Sequence, residues 1–169
     1  MTELWQKTAR EMVDLLAKGE IRPKEAIDAA AERIAATNGA VNAMVTLCLE
    51  RAYAAAARIE TEGHPEQPGP GYLYGLPVSI KDLHHVEGVL CTQGSPIYAD
   101  HISVESDLEV RTLEANGAIV IGKSNTPEFG AGANTFNEVF GATRNPWDTR
   151  MNAGGSSGGA AVNQLTEIA

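Results

Sequence analysis

The chain has 169 residues, of which 43% are apolar and 21% charged, a composition that fits a globular protein with a core and excludes global disorder. Thirteen Lys and Arg against 22 Asp and Glu give a net charge of −9, which disfavours nucleic acids and anionic membrane surfaces as partners. The N-terminus carries no apolar targeting segment and no run is long enough to cross a bilayer, so we expect a cytoplasmic location.

Helix-forming residues dominate residues 1–60, which hold only two of the 17 glycines. Apolar residues recur there at helical spacing and predict helices over 3–18, 23–37 and 49–60. The segment 41–47 is predicted to be extended. We therefore expect residues 1–60 to form an N-terminal helical segment.

The remaining residues follow a different pattern. Residues 61–71 contain three prolines and three glycines, which predicts an exposed connection. Two apolar runs, 76–80 and 118–122, flank a helical stretch at about 105–116. This order predicts two parallel strands joined by a right-handed helical crossover, so we expect residues 61–169 to form a partial α/β core.

The two cysteines, Cys48 and Cys91, have no paired spacing. They indicate neither a disulfide framework nor a metal knuckle. We expect both to be small buried residues.

Two lysines directly follow the predicted strands, where ligands of α/β sheets commonly bind. Either Lys81 or Lys123 could equally be a surface lysine extending from a strand end. Lys81 is the stronger candidate because it closes an apolar run and is followed by Asp82. Burial there would lower its pKa and favour a neutral amine that acts as a base.

The run Gly-Gly-Ser-Ser-Gly-Gly at 154–159 is the strongest local motif. A phosphate-binding loop would need a lysine after the glycines, but Ala160 follows. Residues 155–159 also fit a nucleophile elbow centred on Ser157, yet that fold places its histidine after the serine. Here every histidine precedes the loop: His64, His84, His85 and His101.

The adjacent His84 and His85 suggest a metal site with Asp82 only weakly. Adjacent side chains seldom point at one ion, and no further ligand follows at a suitable spacing. We therefore expect solvated or packing roles for these histidines, and no metal or cofactor.

Four segments together resemble the amidase signature family: GLPVSIKD at 75–82, GAIVIGKSNTPEF at 117–129, FGATRNPWD at 140–148 and GGSSGG at 154–159. The resemblance implies the N-terminal part of that α/β fold, a mixed sheet flanked by helices. It also implies hydrolysis of a small carboxylic amide by a nucleophilic serine, a second serine after a cis peptide bond, and a lysine.

Carried over to this chain, the resemblance makes Lys81 the general base and Ser156 the bridging serine that relays protons. Ser157 would be a supporting hydroxyl. The glycines that would shape the loop are Gly154, Gly155 and Gly158.

The family's nucleophile would fall near position 180, in a second glycine-serine motif that also supplies the oxyanion hole. We therefore expect a chain that ends before its nucleophile and does not hydrolyse amides alone. Because later strands would be missing, we also expect exposed apolar surface and a tendency to self-associate.

Two alternatives remain at this point. The chain could be a non-catalytic binding or regulatory remnant of the fold, or part of the A subunit of a tRNA-dependent amidotransferase. The segment Thr126-Pro127-Glu128-Phe129 favours a plain small-molecule amidase over the A subunit, which usually has Met-Asp before Glu-Phe.

Overall fold

The computed structural model describes residues 3–166 as a three-stranded sheet with helices on both faces. The α-helices are α1 (Ala9–Ala17), α2 (Pro23–Val41), α3 (Leu49–Glu62), α4 (Leu108–Ala115) and α5 (Gly158–Leu165). The strands are β1 (Met44–Leu47), β2 (Pro77–Lys81), β3 (Ile119–Ser124), β4 (Phe136–Asn137), β5 (Gly141–Ala142), β6 (Arg144–Asn145) and β7 (Asp148–Asn152). Short 3₁₀ turns occupy Leu4–Gln6, Pro96–Tyr98 and Glu128–Gly130. None of the helices within residues 3–166 combines the length and apolarity that a membrane span needs.

Strand β3 is the centre of the sheet, which has the order β1-β3-β2. It pairs in parallel with β2 and antiparallel with β1, so the sheet is mixed as expected. Every residue of β3 is buried, which is typical of a strand covered on both faces. The predicted parallel pairing of the two apolar runs is confirmed. Strands β4 to β7 form two small antiparallel pairs beside this sheet.

Two apolar clusters cover opposite faces of the sheet. One joins α2 and α3 to β1 and β3; its buried members are Ile27, Ala30, Ile34, Met44, Ala52, Ala56, Ile119 and Ile121. The other lies on the side of α4; its buried members are Ile80, Val86, Val89, Val110 and Val120. Because β1 comes from the first 60 residues and pairs with β3, the helical segment and the α/β core share one sheet. The boundary at residues 61–71 stays a prediction.

The first predicted helix, 3–18, is wrong as a single element. It divides into the turn Leu4–Gln6 and α1, because Thr8 has an extended backbone and caps α1. The Thr8 hydroxyl oxygen accepts a bond from the Glu11 N–H, and the Glu11 carboxylate accepts one from the Thr8 N–H at 2.8 Å. This reciprocal capping box fixes the start of α1.

The second helix extends beyond the predicted end at residue 37, through Asn38 and Gly39 to Val41. Asn42 then takes a left-handed backbone with φ 52° and ends the helix. The Asn38 side chain stabilises the exit, since its oxygen accepts bonds of 2.8 Å from the N–H groups of Ala43 and Met44.

Other boundaries shift by smaller amounts. Helix α4 begins at Leu108, three residues later than predicted, because Asp107 has an extended backbone. Helix α3 ends at Glu62, and no helix or strand follows it through residue 71, as the connection predicted. The predicted burial of Cys91 is confirmed, whereas Cys48 is only half-buried.

Candidate active site

The Lys81 amine contacts the loop formed by residues 154–159, the serine-glycine loop. Its Nζ is 2.8 Å from Ser156 Oγ and 3.0 Å from Ser157 Oγ. Strand β2 ends at Lys81 and the loop leads directly into α5, so two rigid elements position the two sides of this contact. The predicted proximity of Lys81 and Ser156 is confirmed, while their catalytic roles stay predictions.

Burial is the cause that lowers the pKa of Lys81 below its ordinary value. Among residues 3–166, no carboxylate lies within salt-bridge distance of this amine; its hydrogen-bond partners are the hydroxyls of Ser156 and Ser157. A larger fraction of the amine is therefore neutral at a given pH than for an exposed lysine. A neutral amine beside a hydroxyl can accept its proton.

The fully buried Thr135 side chain binds the serine-glycine loop through hydrogen bonds. The Thr135 hydroxyl donates to the Gly154 carbonyl at 2.8 Å and accepts from the Gly158 N–H at 3.0 Å. One side chain thus joins both ends of the loop. Between these ends, the peptide bond from Gly155 to Ser156 is cis, as the resemblance implies.

Gly155 and Gly158 are required by close packing. A Cβ atom at Gly155 would lie 2.8 Å from the Gly132 carbonyl oxygen and 3.0 Å from the carbonyl carbons of Ala133 and Asn134. A Cβ atom at Gly158 would overlap the Thr135 side chain. At Gly154 the nearest atom to such a Cβ is 4.0 Å away, so space does not restrict this position.

The second strand-end lysine, Lys123, is wholly buried rather than a surface lysine. Its Nζ lies 3.0 Å from Oδ1 of Asp82, which is also wholly buried. The hydroxyl of Thr92 donates to Asp82 Oδ2 at 2.6 Å. The two strand-end lysines therefore have different partners.

The histidines do not form the site considered for them with Asp82. His85 Nδ1 lies 2.9 Å from Ser103 Oγ. His84 Nδ1 instead contacts Glu109 Oε1 and lies 3.8 Å from Asp107 Oδ2. His84 and Asp107 are half-buried and Glu109 is exposed, so these three side chains lie together at the surface.

Thr135 and Thr92 are the site-supporting residues that sequence reasoning missed. Each acts on a motif at least ten residues away, Thr135 on the serine-glycine loop and Thr92 on Asp82. The sequence around them offers no spacing signal for either contact.

The family model described as Amidase matches residues 25–163, which include Lys81 and the whole serine-glycine loop. The chain belongs to the amidase family. The match covers most of the chain and spans β1, β2 and β3, so the sheet and both sides of the candidate site lie within the family's domain.

Curated relatives of this amidase chain are named as the A subunit of glutamyl-tRNA(Gln) amidotransferase. The protein of Moorella thermoacetica is 41% identical over 161 residues, which is 95% of this chain and 33% of the relative. The protein of Oleidesulfovibrio alaskensis is 36% identical over 163 residues, 96% of this chain and 33% of the relative. The chain thus spans about a third of the length of the curated relatives it matches.

Solved structures of amidase-signature enzymes have the same fold over nearly all of the chain. A bacterial aryl acylamidase of the family is 31% identical with a TM-score of 0.86, and the alignment covers 96% of this chain and 34% of that enzyme. The 6-aminohexanoate cyclic dimer hydrolase is 28% identical with a TM-score of 0.84, covering 100% of this chain and 33% of that enzyme. The described residues have the architecture of about a third of such enzymes.

Proposed function

We propose that the chain carries the base and the proton relay of an amide hydrolase. The observation that supports this most directly is the contact of 2.8 Å between the Lys81 amine and the Ser156 hydroxyl. The lowered pKa of Lys81 adds to it, because a base must be neutral at the pH where it works. Membership of the amidase family supplies the reaction class, the hydrolysis of a carboxylic amide.

In the proposed mechanism, neutral Lys81 accepts the proton of the Ser156 hydroxyl. Ser156 in turn accepts the proton of an attacking serine, whose oxygen forms a bond to the amide carbon. The same relay then runs in reverse and protonates the departing amine nitrogen as the C–N bond breaks. Water completes hydrolysis of the acyl-enzyme through the same groups, so Lys81 and Ser156 end each cycle in their starting state.

The attacking serine that the resemblance implies, near position 180, is not among these 169 residues. We propose that residues 1–169 alone hydrolyse no amide, because the covalent route and the oxyanion donors of that second motif are missing. A fluorophosphonate probe for activated serines and a panel of aryl and aliphatic amides test this directly. Stoichiometric labelling of Ser156 or Ser157, or turnover that Lys81→Ala abolishes, would show that the nucleophile lies within the chain.

A chimera tests the relay itself. Residues 1–163 of this chain replace the matching third of the bacterial aryl acylamidase, and hydrolysis of an aryl acylamide is measured. We expect turnover, and we expect Lys81→Ala and Ser156→Ala each to lower kcat/KM at least about 100-fold. The exposed Lys18→Ala variant is the matched control. Full activity of the Lys81→Ala chimera would refute the role of Lys81, and a folded chimera without turnover would favour the non-catalytic remnant.

A second candidate function follows from the curated relatives, which are named as A subunits of an amidotransferase. On that alternative the chain would be part of a multi-subunit enzyme and would bind a partner protein. The Thr126-Pro127 pair before Glu128 favours the plain amidase, with a small-molecule amide as substrate. The cytoplasmic location remains part of the proposal.

A further inference from the structure

The Asp82–Lys123 ion pair is buried at the end of strand β2, where Asp82 directly follows the candidate base Lys81. Neither side chain has any exposed surface, and Lys123 Nζ lies 3.0 Å from Asp82 Oδ1. Thr92 completes the environment of the carboxylate, since its hydroxyl donates to Oδ2 at 2.6 Å and its N–H lies 3.2 Å from the same oxygen. A buried carboxylate is costly unless it is paired and hydrogen-bonded in this way.

Asp82 also continues the strand that carries Lys81. The Asp82 N–H donates to the Ser124 carbonyl at 2.9 Å, which extends the pairing of β2 with β3 by one residue. Successive side chains of a strand point to opposite sides. Asp82 accordingly reaches Thr92 and Lys123, whereas Lys81 reaches Ser156 and Ser157.

We propose that Asp82 and Lys123 are positioning residues for the Lys81 amine: they fix the end of β2, and Lys123 neutralises the carboxylate next to the base. The inference deepens the proposed function and rests on it. It gives Lys123 an indirect role, although neither Lys123 nor Asp82 contacts the serines.

The other titratable groups near the pair leave this charge balance intact. Cys91 and Cys48 are the thiols whose titration Lys123 influences, and burial raises the pKa of both. A raised pKa favours the uncharged form of each thiol. For Lys81 itself the cause of the shift is burial and not a charged neighbour. The Asp82–Lys123 pair has no net charge, which is consistent with the absence of a charged neighbour among the causes of the Lys81 shift.

Removing the Lys123 charge would leave Asp82 as an uncompensated anion. The hydrogen bonds from the Thr92 hydroxyl and N–H would still hold the carboxylate in place. A buried anion one residue away stabilises the protonated form of Lys81, so the pKa of Lys81 should rise by about one unit. At a pH below that pKa, the neutral fraction of the Lys81 amine becomes about tenfold smaller. Little of the amine could then accept a proton.

The experiment measures the Lys81 amine in the 169-residue chain and needs no amide turnover. Acetic anhydride acetylates neutral amines, and mass spectrometry of the peptides gives the rate at Lys81 as a function of pH, with exposed Lys18 as internal reference. The variants are Lys123→Met, Lys123→Gln, and the double variant Asp82→Asn/Lys123→Met. Glutamine keeps a hydrogen-bond donor for Asp82 without the charge, so it preserves folding if methionine does not. Circular dichroism reports folding.

We expect both single variants to acetylate Lys81 about tenfold more slowly at pH 7.5 to 8, with the profile displaced to higher pH. The double variant, which has no charge at either position, should return to the parent profile. An unchanged profile in a folded Lys123→Gln chain would overturn the proposal. So would an equal shift in the double variant, because packing and not charge would then be the cause. Failure of the amide-hydrolysis proposal would appear in the chimera and would leave these profiles unaltered.

Discussion

Adjacent glycines of the serine-glycine loop should respond very differently to alanine. A Cβ atom at Gly155 would lie 2.8 Å from the Gly132 oxygen and 3.0 Å from two further backbone carbons, of Ala133 and Asn134. These neighbours belong to the backbone, so no side-chain rotation can relieve the overlap. At Gly154 the same atom would have its nearest neighbour at 4.0 Å.

We expect Gly155→Ala to lower the free energy of unfolding by about 2 kcal/mol, within the usual cost of inserting a methyl group into packed atoms. Gly154→Ala should change it by less than about 0.5 kcal/mol, as exposed substitutions without overlap do. Urea unfolding followed by far-ultraviolet circular dichroism measures both. The two variants differ from each other only in position, so helix or strand propensity cannot explain the difference.

Acetylation of the Lys81 amine reports whether Gly155→Ala displaces the serine-glycine loop. If Gly155→Ala moves Ser156 and Ser157, the Lys81 amine becomes more exposed to solvent. Its acetylation rate as a function of pH then approaches that of exposed Lys18. Gly154→Ala should keep the parent profile. Equal stability of the two variants, or an unaltered Lys81 profile in a destabilised Gly155→Ala chain, would refute the view that close backbone contact holds Ser156 against Lys81.

Other expectations concern the base, the loop support and the sheet edge. Because burial lowers the pKa of Lys81 below 10.5, the folded chain binds fewer protons than the unfolded chain between the lowered pKa and 10.5, so the free energy of unfolding should rise with pH in that window. The Lys81→Met variant should lack this contribution in matched urea titrations, and an identical pH dependence would contradict it. Thr135→Val removes the bonds to Gly154 and Gly158 and should cost about 2 kcal/mol, whereas Thr135→Ser keeps the hydroxyl and should retain the parent Lys81 acetylation profile, which Thr135→Val should not. Strand β2 forms an edge of the three-stranded sheet, so sedimentation should show a mass that increases with concentration, and a concentration-independent monomer would count against self-association.

The hydrophobic pattern predicted the elements of the fold better than their ends. The runs at 76–80 and 118–122 are strands because their apolar residues fill both faces of the sheet. The ends depend on single polar side chains, such as Thr8 at the start of α1 and Asn38 at the end of α2. Periodicity does not record these bonds, so the first helix was predicted too long and the second too short.

The candidate site was predictable where a motif carried it. Lys81 and Ser156 were recognised through four segments in a fixed order, and the contact between them joins residues 75 positions apart. Thr135 supports the same loop across the fold, but a threonine between Asn134 and Phe136 has no pattern of its own. Its function depends on the meeting of two backbone segments, which only the tertiary structure shows.

Lys81 and Lys123 illustrate what position in a sheet can and cannot determine. Both stand at the carboxyl ends of adjacent parallel strands, and position alone would allow either to be a surface residue. Their environments diverge because Asp82, which follows Lys81, is directed to the opposite side of β2 and pairs with Lys123. The Asp82 carboxylate thereby pairs with the Lys123 amine. Among the described residues the Lys81 amine has no carboxylate partner and contacts the hydroxyls of Ser156 and Ser157 instead. A single aspartate thus accounts for the different surroundings of the two lysines: Lys123 is paired with a buried carboxylate, whereas burial without such a partner lowers the pKa of Lys81 and suits it to act as a base.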